Sequence, residues 1–335
     1  MSVHTSPEKT DPKKIVAEAE KALQDLKNAK EEIANVIYGQ EAVIQNAIVA
    51  ILSGGHALLV GVPGLAKTKL VDTLGTVLGL KSGRIQFTPD LMPADILGSE
   101  VLEEDENGKR SFRFIKGPIF AQLLMADEVN RASPRTQSAL LQAMQEYNVT
   151  VAGHNHKLPA PFHVLATQNP LEQEGTYPLP EAQLDRFLMQ IDVDYPEAEA
   201  ERQIMLQTTG TVDGTAGAIL TTAKLKAMQT LVRQMPVPES VVEGILKLVR
   251  SARPGSGTDL VEKHVNWGPG PRAGQALMLC VRARALYDGR LAPSIDDVKA
   301  LAEPVLQHRM ALSFTARADG VTIQSVIDDL VSTLD

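Results

Sequence analysis

Residues 61–68 read GVPGLAKT, one residue away from the phosphate-loop pattern G-x-x-x-x-G-K-[ST], with Ala66 where the second glycine belongs. The flanks decide how to read it. Before it, His56-Ala-Leu-Leu-Val60 is a short apolar run between glycines, the pattern of a strand buried on both faces. After it, the apolar spacing predicts a helix from Lys67 to Leu80. Gly61 and Gly64 are expected to turn the backbone so that N–H groups face anionic oxygens, and the helix N-terminus adds partial positive charge. Lys67 is then placed to reach β- and γ-phosphates and Thr68 to ligate Mg²⁺, with Val62, Pro63, Leu65 and Lys69 completing the cradle. Ala66 is expected at the start of the helix with negative φ and its methyl turned away from the phosphates. Taken alone, the stretch also reads as a Gly-Pro turn before a surface helix.

Further along, the same alternation recurs. Arg84–Phe87 is a short strand candidate, and Gln122–Ala126 is an apolar strand running into Asp127-Glu128. Ser133 and Pro134 open a helix as N-cap and first residue. His163–Thr167 is a strand that runs on to Asn169, Pro180–Phe187 a short helix, and Leu188–Val193 a last strand. Strands alternating with helices imply a parallel, doubly wound α/β sheet, whose ligands sit at the carboxyl ends of its strands. Asp127 there can share the Mg²⁺ shell with Thr68 while Glu128 polarises the attacking water and Asn169 orients it. Arg186 is a candidate to offset transition-state charge across an interface, although an ion pair with Asp185 would also explain it. Arg272 opens a helix further on and could contact the γ-phosphate from there.

Residues 98–117 and 149–158 interrupt the alternation and read as inserted β-hairpins, the first with an acidic run at 103–106 and an Asn107-Gly108 turn. Residues 1–12 look like a disordered tail, 13–195 an α/β nucleotide-binding unit, 196–217 a linker rich in Thr and Gly toward its end, and 218–335 an all-α lid with helical patterns only.

Composition limits the function classes. Acids outnumber bases by 41 to 33, and no basic run is concentrated anywhere, so nucleic acid is a poor expectation as partner. A single cysteine, Cys280, excludes an internal disulfide framework and fits a reducing, cytoplasmic compartment. Neither a signal peptide nor a membrane span is read from the apolar runs. His154, His156 and His163 lack a cysteine or spaced carboxylate to complete a metal site.

Gly61–Thr68, Ala126–Ala132, Ala166–Pro170, Leu179–Phe187 and Pro271–Ala273, in this order, resemble the MoxR branch of AAA+ ATPases. The resemblance covers essentially residues 13–335. It implies an AAA+ P-loop core with a helical lid, ATP and Mg²⁺ as cofactors, Walker A at Lys67 and Thr68, Walker B at Asp127 and Glu128, and sensor 1 at Asn169. It also implies an arginine finger at or near Arg186, with Arg131 and Arg135 as rivals, and sensor 2 at Arg272. Tyr38-Gly39-Gln40 resembles the segment near adenine, and the two hairpins resemble inserts that line a ring pore. By the same resemblance the chain forms a homo-oligomeric, hexameric ring that remodels or matures a protein client, with a von Willebrand A-type protein as a possible partner. A nucleic-acid motor and a non-hydrolysing nucleotide-dependent scaffold are the competing expectations. His308-Arg309 also recurs in such sequences and is assigned no chemistry.

Overall fold

The computed structural model describes residues 12–104, 108, 110–172, 175–208 and 214–334. Residues 1–11 of the tail expected over 1–12, most of the first hairpin's tip and residues 209–213 of the expected linker lie outside the described residues, while Pro12 already belongs to a helix. Helices α1 (Pro12–Ala34) and α2 (Glu41–Leu52) precede β1 (Ala57–Val60), α3 (Lys67–Val77), β2 (Ser82–Gln86) and α4 (Pro93–Leu97). The hairpin β3 (Gly98–Glu104) and β4 (Arg110–Lys116) leads to β5 (Leu123–Asp127) and α5 (Pro134–Glu146). A second hairpin, β6 (Asn148–Val151) and β7 (His154–Lys157), is followed by β8 (His163–Gln168), α6 (Glu181–Leu184) and β9 (Met189–Asp192). Five strands make one sheet in the order β2-β5-β8-β1-β9, and every pairing in it is parallel. Every residue of β5 is buried, which is why its sequence is a continuous apolar run and not an alternation.

The remaining elements are α7 (Ala198–Thr208), α8 (Thr222–Gln234), α9 (Glu239–Ser251), α10 (Asp259–His264), β10 (Val265–Trp267), α11 (Pro271–Tyr287), α12 (Ile295–Leu306), β11 (Ala311–Leu312), α13 (Phe314–Ala318) and α14 (Ile323–Ser332). Two features were not foreseen. The segment expected as linker contains a helix of 11 residues, α7. The helical C-terminal part carries a two-stranded antiparallel ladder, β10 with β11. Among the described residues, no helix is long and apolar enough to cross a membrane.

Two apolar cores lie on the two faces of the sheet. One, under α4 and α5, includes Phe87, Leu140 and Phe187. The other, under α1, α2 and α3, is continuous with the interior of the helical part, because α11 packs on α2 and α8 on α1 and α2. This packing fixes where the helical part sits relative to the sheet, and so which edge of the sheet Arg272, at the start of α11, meets.

Candidate functional site

The carboxyl ends of β1, β5 and β8 converge on a cavity of about 470 Å³ lined by residues 63–69, Asp127, Glu128, Thr167 and Asn169. The loop after β1 keeps two glycines for different reasons. Gly64 has φ +88°, with open space where a Cβ would stand. Gly61 is required by contact: a Cβ there would meet Val193 O at 2.4 Å. The expectation for Ala66 is overturned. It has φ 54° and ψ 21°, left-handed, and caps α3 from that conformation. The cradle must close on an anion, which requires left-handed steps in the loop, and this long-range demand outweighs alanine's helical preference. An L-residue there is strained by about 1–2 kcal/mol. Ala66→Gly is therefore expected to raise unfolding free energy by about 1 kcal/mol. Urea melts of the two proteins check this; an unchanged or lower midpoint would contradict the strain.

Lys67 Nζ donates to the carbonyl oxygens of Gly61 and of Val62, the latter at 3.0 Å, so the ammonium rests on its own loop. Burial lowers its pKa, opposed by the charges of Asp127 and Glu128. Asp127 accepts from Arg84 Nη2 at 2.6 Å and from the Thr167 hydroxyl at 2.6 Å. That same hydroxyl accepts from the Glu128 N–H at 2.8 Å, tying the ends of β5 and β8 together. Glu128 also sits at positive φ, 55°. Its Oε2 accepts from Gln86 Nε2 at 2.8 Å and from Arg131 Nη1 at 3.0 Å. Asn169 is buried and accepts the Leu171 N–H on Oδ1 at 3.1 Å, so its amide N–H groups are what it offers the cavity.

Sequence reasoning gave no role to Arg84, Gln86 or Thr167. Arg84 and Gln86 are two apart on β2 and so share a face, beside the carboxyl end of β5. That alternation, next to the Asp-Glu pair, was the available signal. Gly39 and Gln40 stand just outside the cavity lining. Gln40 Nε2 donates to Leu65 O at 3.1 Å and braces the loop, while Gln40 Oε1 is buried with no hydrogen-bond partner among the described residues. Gly39, at φ +69°, packs on Ala200 of α7 so closely that a Cβ would lie 2.2 Å from that residue's Cβ.

The remaining predicted arginines are elsewhere. β1 and β9 run parallel with Ala57 opposite Met189, so Arg186 precedes the amino end of β9 while Lys67 follows the carboxyl end of β1. A four-residue strand separates these edges by about 13 Å. Arg186 lines a second cavity, of about 300 Å³, together with Arg233, Arg272 and Arg309. Arg272, expected to contact a γ-phosphate from the lid, pairs with Asp185 at 3.5 Å on the amino-terminal edge, because α11 is anchored on α2. Of the two rivals, Arg131 is held at the carboxyl edge by Glu128, and Arg135 is exposed in the first turn of α5.

Arg309 explains how that edge is built. Its guanidinium donates to Asp185 Oδ1 at 2.8 Å, and to the carbonyls of Phe187 at 2.6 Å, Leu188 at 3.1 Å and Val305 at 2.6 Å. His308 Nε2 adds a bond to Phe187 O at 3.2 Å. The pair thus clamps the residues on both sides of Arg186. Because Arg309 is 2% exposed, Arg309→Leu takes the guanidinium from three carbonyls and leaves Asp185 only its 3.5 Å pair with Arg272, and is expected to lower stability by about 3–5 kcal/mol. A denaturant titration showing a loss under 1 kcal/mol would refute the clamp.

Residues 56–189 match the family described as ATPase family associated with various cellular activities (AAA), and residues 258–330 match the AAA lid domain. The chain is similar to Chaperone MoxR1 of Mycobacterium tuberculosis, 40% identical over 92% of this chain and 81% of that protein. It is 30% identical to protein MoxR of Paracoccus denitrificans, over 86% and 88% of the two chains. A crystal structure of a presumed ATPase from Cytophaga hutchinsonii superposes with a TM-score of 0.89 at 35% identity, covering 96% of this chain and 98% of that one.

Proposed function

Since the chain belongs to the MoxR family of AAA+ ATPases, we propose that it hydrolyses ATP at sites shared between neighbouring copies in a ring and uses the cycle to remodel a protein client. One observation carries this reading. Residues 63–69, Asp127, Glu128 and Asn169 gather at one edge of the sheet, and Arg186 and Arg272 at the opposite edge. A chain so divided has half a site at each end, and a head-to-tail ring joins the halves.

The residues fit the nucleotide. The loop amides and α3 take the phosphates, and Lys67 exchanges its loop carbonyls for phosphate oxygens. Gln40 Oε1 is an acceptor beside the loop, suited to an exocyclic amine such as that of adenine. Thr68 and Asp127 line the same cavity and offer hard oxygens for Mg²⁺, which when bound neutralises phosphate charge. Glu128 accepts the proton of the attacking water once Gln86 and Arg131 release it, and Asn169 orients that water. Arg186 and Arg272 of the neighbouring copy offset the charge that develops.

The output side is the first hairpin. Val101, Leu102, Phe112 and Ile115 are exposed on it, Phe112 at 70%. Phe114 stacks on His156 with centroids 3.8 Å apart, joining the two hairpins so that they move together. Arg110 pairs with Glu104 at 2.9 Å and Arg113 with Glu103 at 2.7 Å, so these two arginines of the hairpin are neutralised, which favours a protein client over nucleic acid. A hexameric ring, a cytoplasmic location and a von Willebrand A-type partner complete the proposal. ATP turnover per chain should rise with protein concentration as rings form, tracked by light scattering. Turnover independent of concentration in a monomeric chain would refute shared sites.

A further inference from the structure

Helix α7 is 11 residues long, yet none of residues 198–207 is buried. A helix of that length is marginal in water without a packed face. Met205 is 58% exposed and Leu206 62%, and Glu199 and Glu201 make its first turn acidic, with Glu197 just before it. Elsewhere, α9 and α11 enclose an apolar groove of about 700 Å³. Val242, Leu246, Val249 and Met278 line it, with Leu246 49% exposed, and Arg250, Arg253 and Arg282 border it. Arg282 Nε is buried with no hydrogen-bond partner among the described residues. One surface is apolar and acidic, the other apolar and basic, and among the described residues none of α7 lines the groove.

Their places in the fold also match. α7 lies against Gly39, beside the nucleotide cradle. The groove adjoins the arginine cavity, since Gln275 and Leu279 line both and Pro271 of the groove precedes Arg272. If the arginine edge of one copy faces the cradle edge of the next, α7 of the second copy comes to the groove of the first.

We propose that α7 of one copy docks in the α9–α11 groove of its neighbour, Met205 and Leu206 entering among Val242, Leu246 and Met278 while the acidic first turn meets the arginines. The contact rests on the shared-site reading and adds to it a partner surface that uses none of the catalytic residues. It is heterologous, so it propagates around a ring. It also links occupancy of the cradle to assembly: a nucleotide that orders the Gly39 segment orders the helix resting on it. The same contact supplies α7 with the apolar cover it lacks in the single chain.

Cross-linking tests this directly. The one native thiol, Cys280, is fully buried and its pKa is pushed up to about 12, so it contributes little background. Leu206→Cys, Leu246→Cys and the double variant are oxidised with copper-phenanthroline in the presence of ATP and Mg²⁺. The expected result is a disulfide-linked ladder in the double variant and a dimer in a mixture of the two single variants, where each chain carries one engineered thiol, with each single variant alone remaining uncross-linked. Assembly with unchanged ATP turnover but no ladder overturns the contact and leaves shared sites standing. A chain that never assembles overturns both. As a second measure, Arg250→Glu combined with Arg253→Glu is expected to weaken assembly at least tenfold, and Glu199→Arg with Glu201→Arg in the same chain to restore it. Unaltered assembly in the first of these overturns the charge-matched docking.

Discussion

Glu128→Gln is expected to bind ATP as the parent does and to turn it over about 10²- to 10⁴-fold more slowly, the range for losing a positioned general base. The side chain keeps its size and still lines the cavity, so cradle and Mg²⁺ ligands stay in place. What disappears is the carboxylate now bound by Gln86 and Arg131. Two measurements separate binding from chemistry. Steady-state phosphate release should collapse. The thermal shift produced by ATP should persist, reflecting about 2.7 kcal/mol of ligand stabilisation at a hundredfold excess over Kd. Equal turnover in both proteins would remove Glu128 from the mechanism, and absent turnover in both would favour a nucleotide-dependent scaffold.

Arg186→Ala is expected to cost more, roughly 10³- to 10⁵-fold in kcat, the contribution of an arginine finger. ATP affinity of the isolated chain should hardly change, since its own Arg186 lies at the far edge of the sheet from Lys67. This split between kcat and affinity is the signature of a group delivered by a neighbour. A residue facing its own nucleotide would alter both. Arg186 lies between Asp185 and Phe187, both held by Arg309, so its backbone is fixed on either side.

The parts legible in the sequence are those set by local chemistry. A buried strand, a glycine loop and a capped helix each declare themselves over a few residues, so the sheet, the cradle, Asp127, Glu128 and Asn169 could be placed before any coordinates. What was missed depends on distant closure. Ala66 is left-handed because the loop must wrap an anion, which its own helix propensity does not register. Which edge of the sheet Arg272 meets, that of Asp185, follows from α11 packing on α2, a tertiary choice with no local mark. Arg309 spans more than a hundred positions to hold carbonyls near Arg186, and a motif of two residues gives no hint of that. α7 was hidden by the Thr- and Gly-rich stretch that follows it, which coloured the reading of the whole segment as linker.

The proposal that each catalytic site is completed by a second copy is tested most directly by mixing two inactive variants. Arg186→Ala retains Glu128, and Glu128→Gln retains Arg186. Combined in equal amounts under conditions of subunit exchange, they should recover about a quarter of wild-type turnover, because in a random head-to-tail ring that fraction of interfaces joins an intact Glu128 to an intact Arg186. Turnover no greater than the sum of the two variants measured separately would contradict shared sites and place both residues in the service of a single chain.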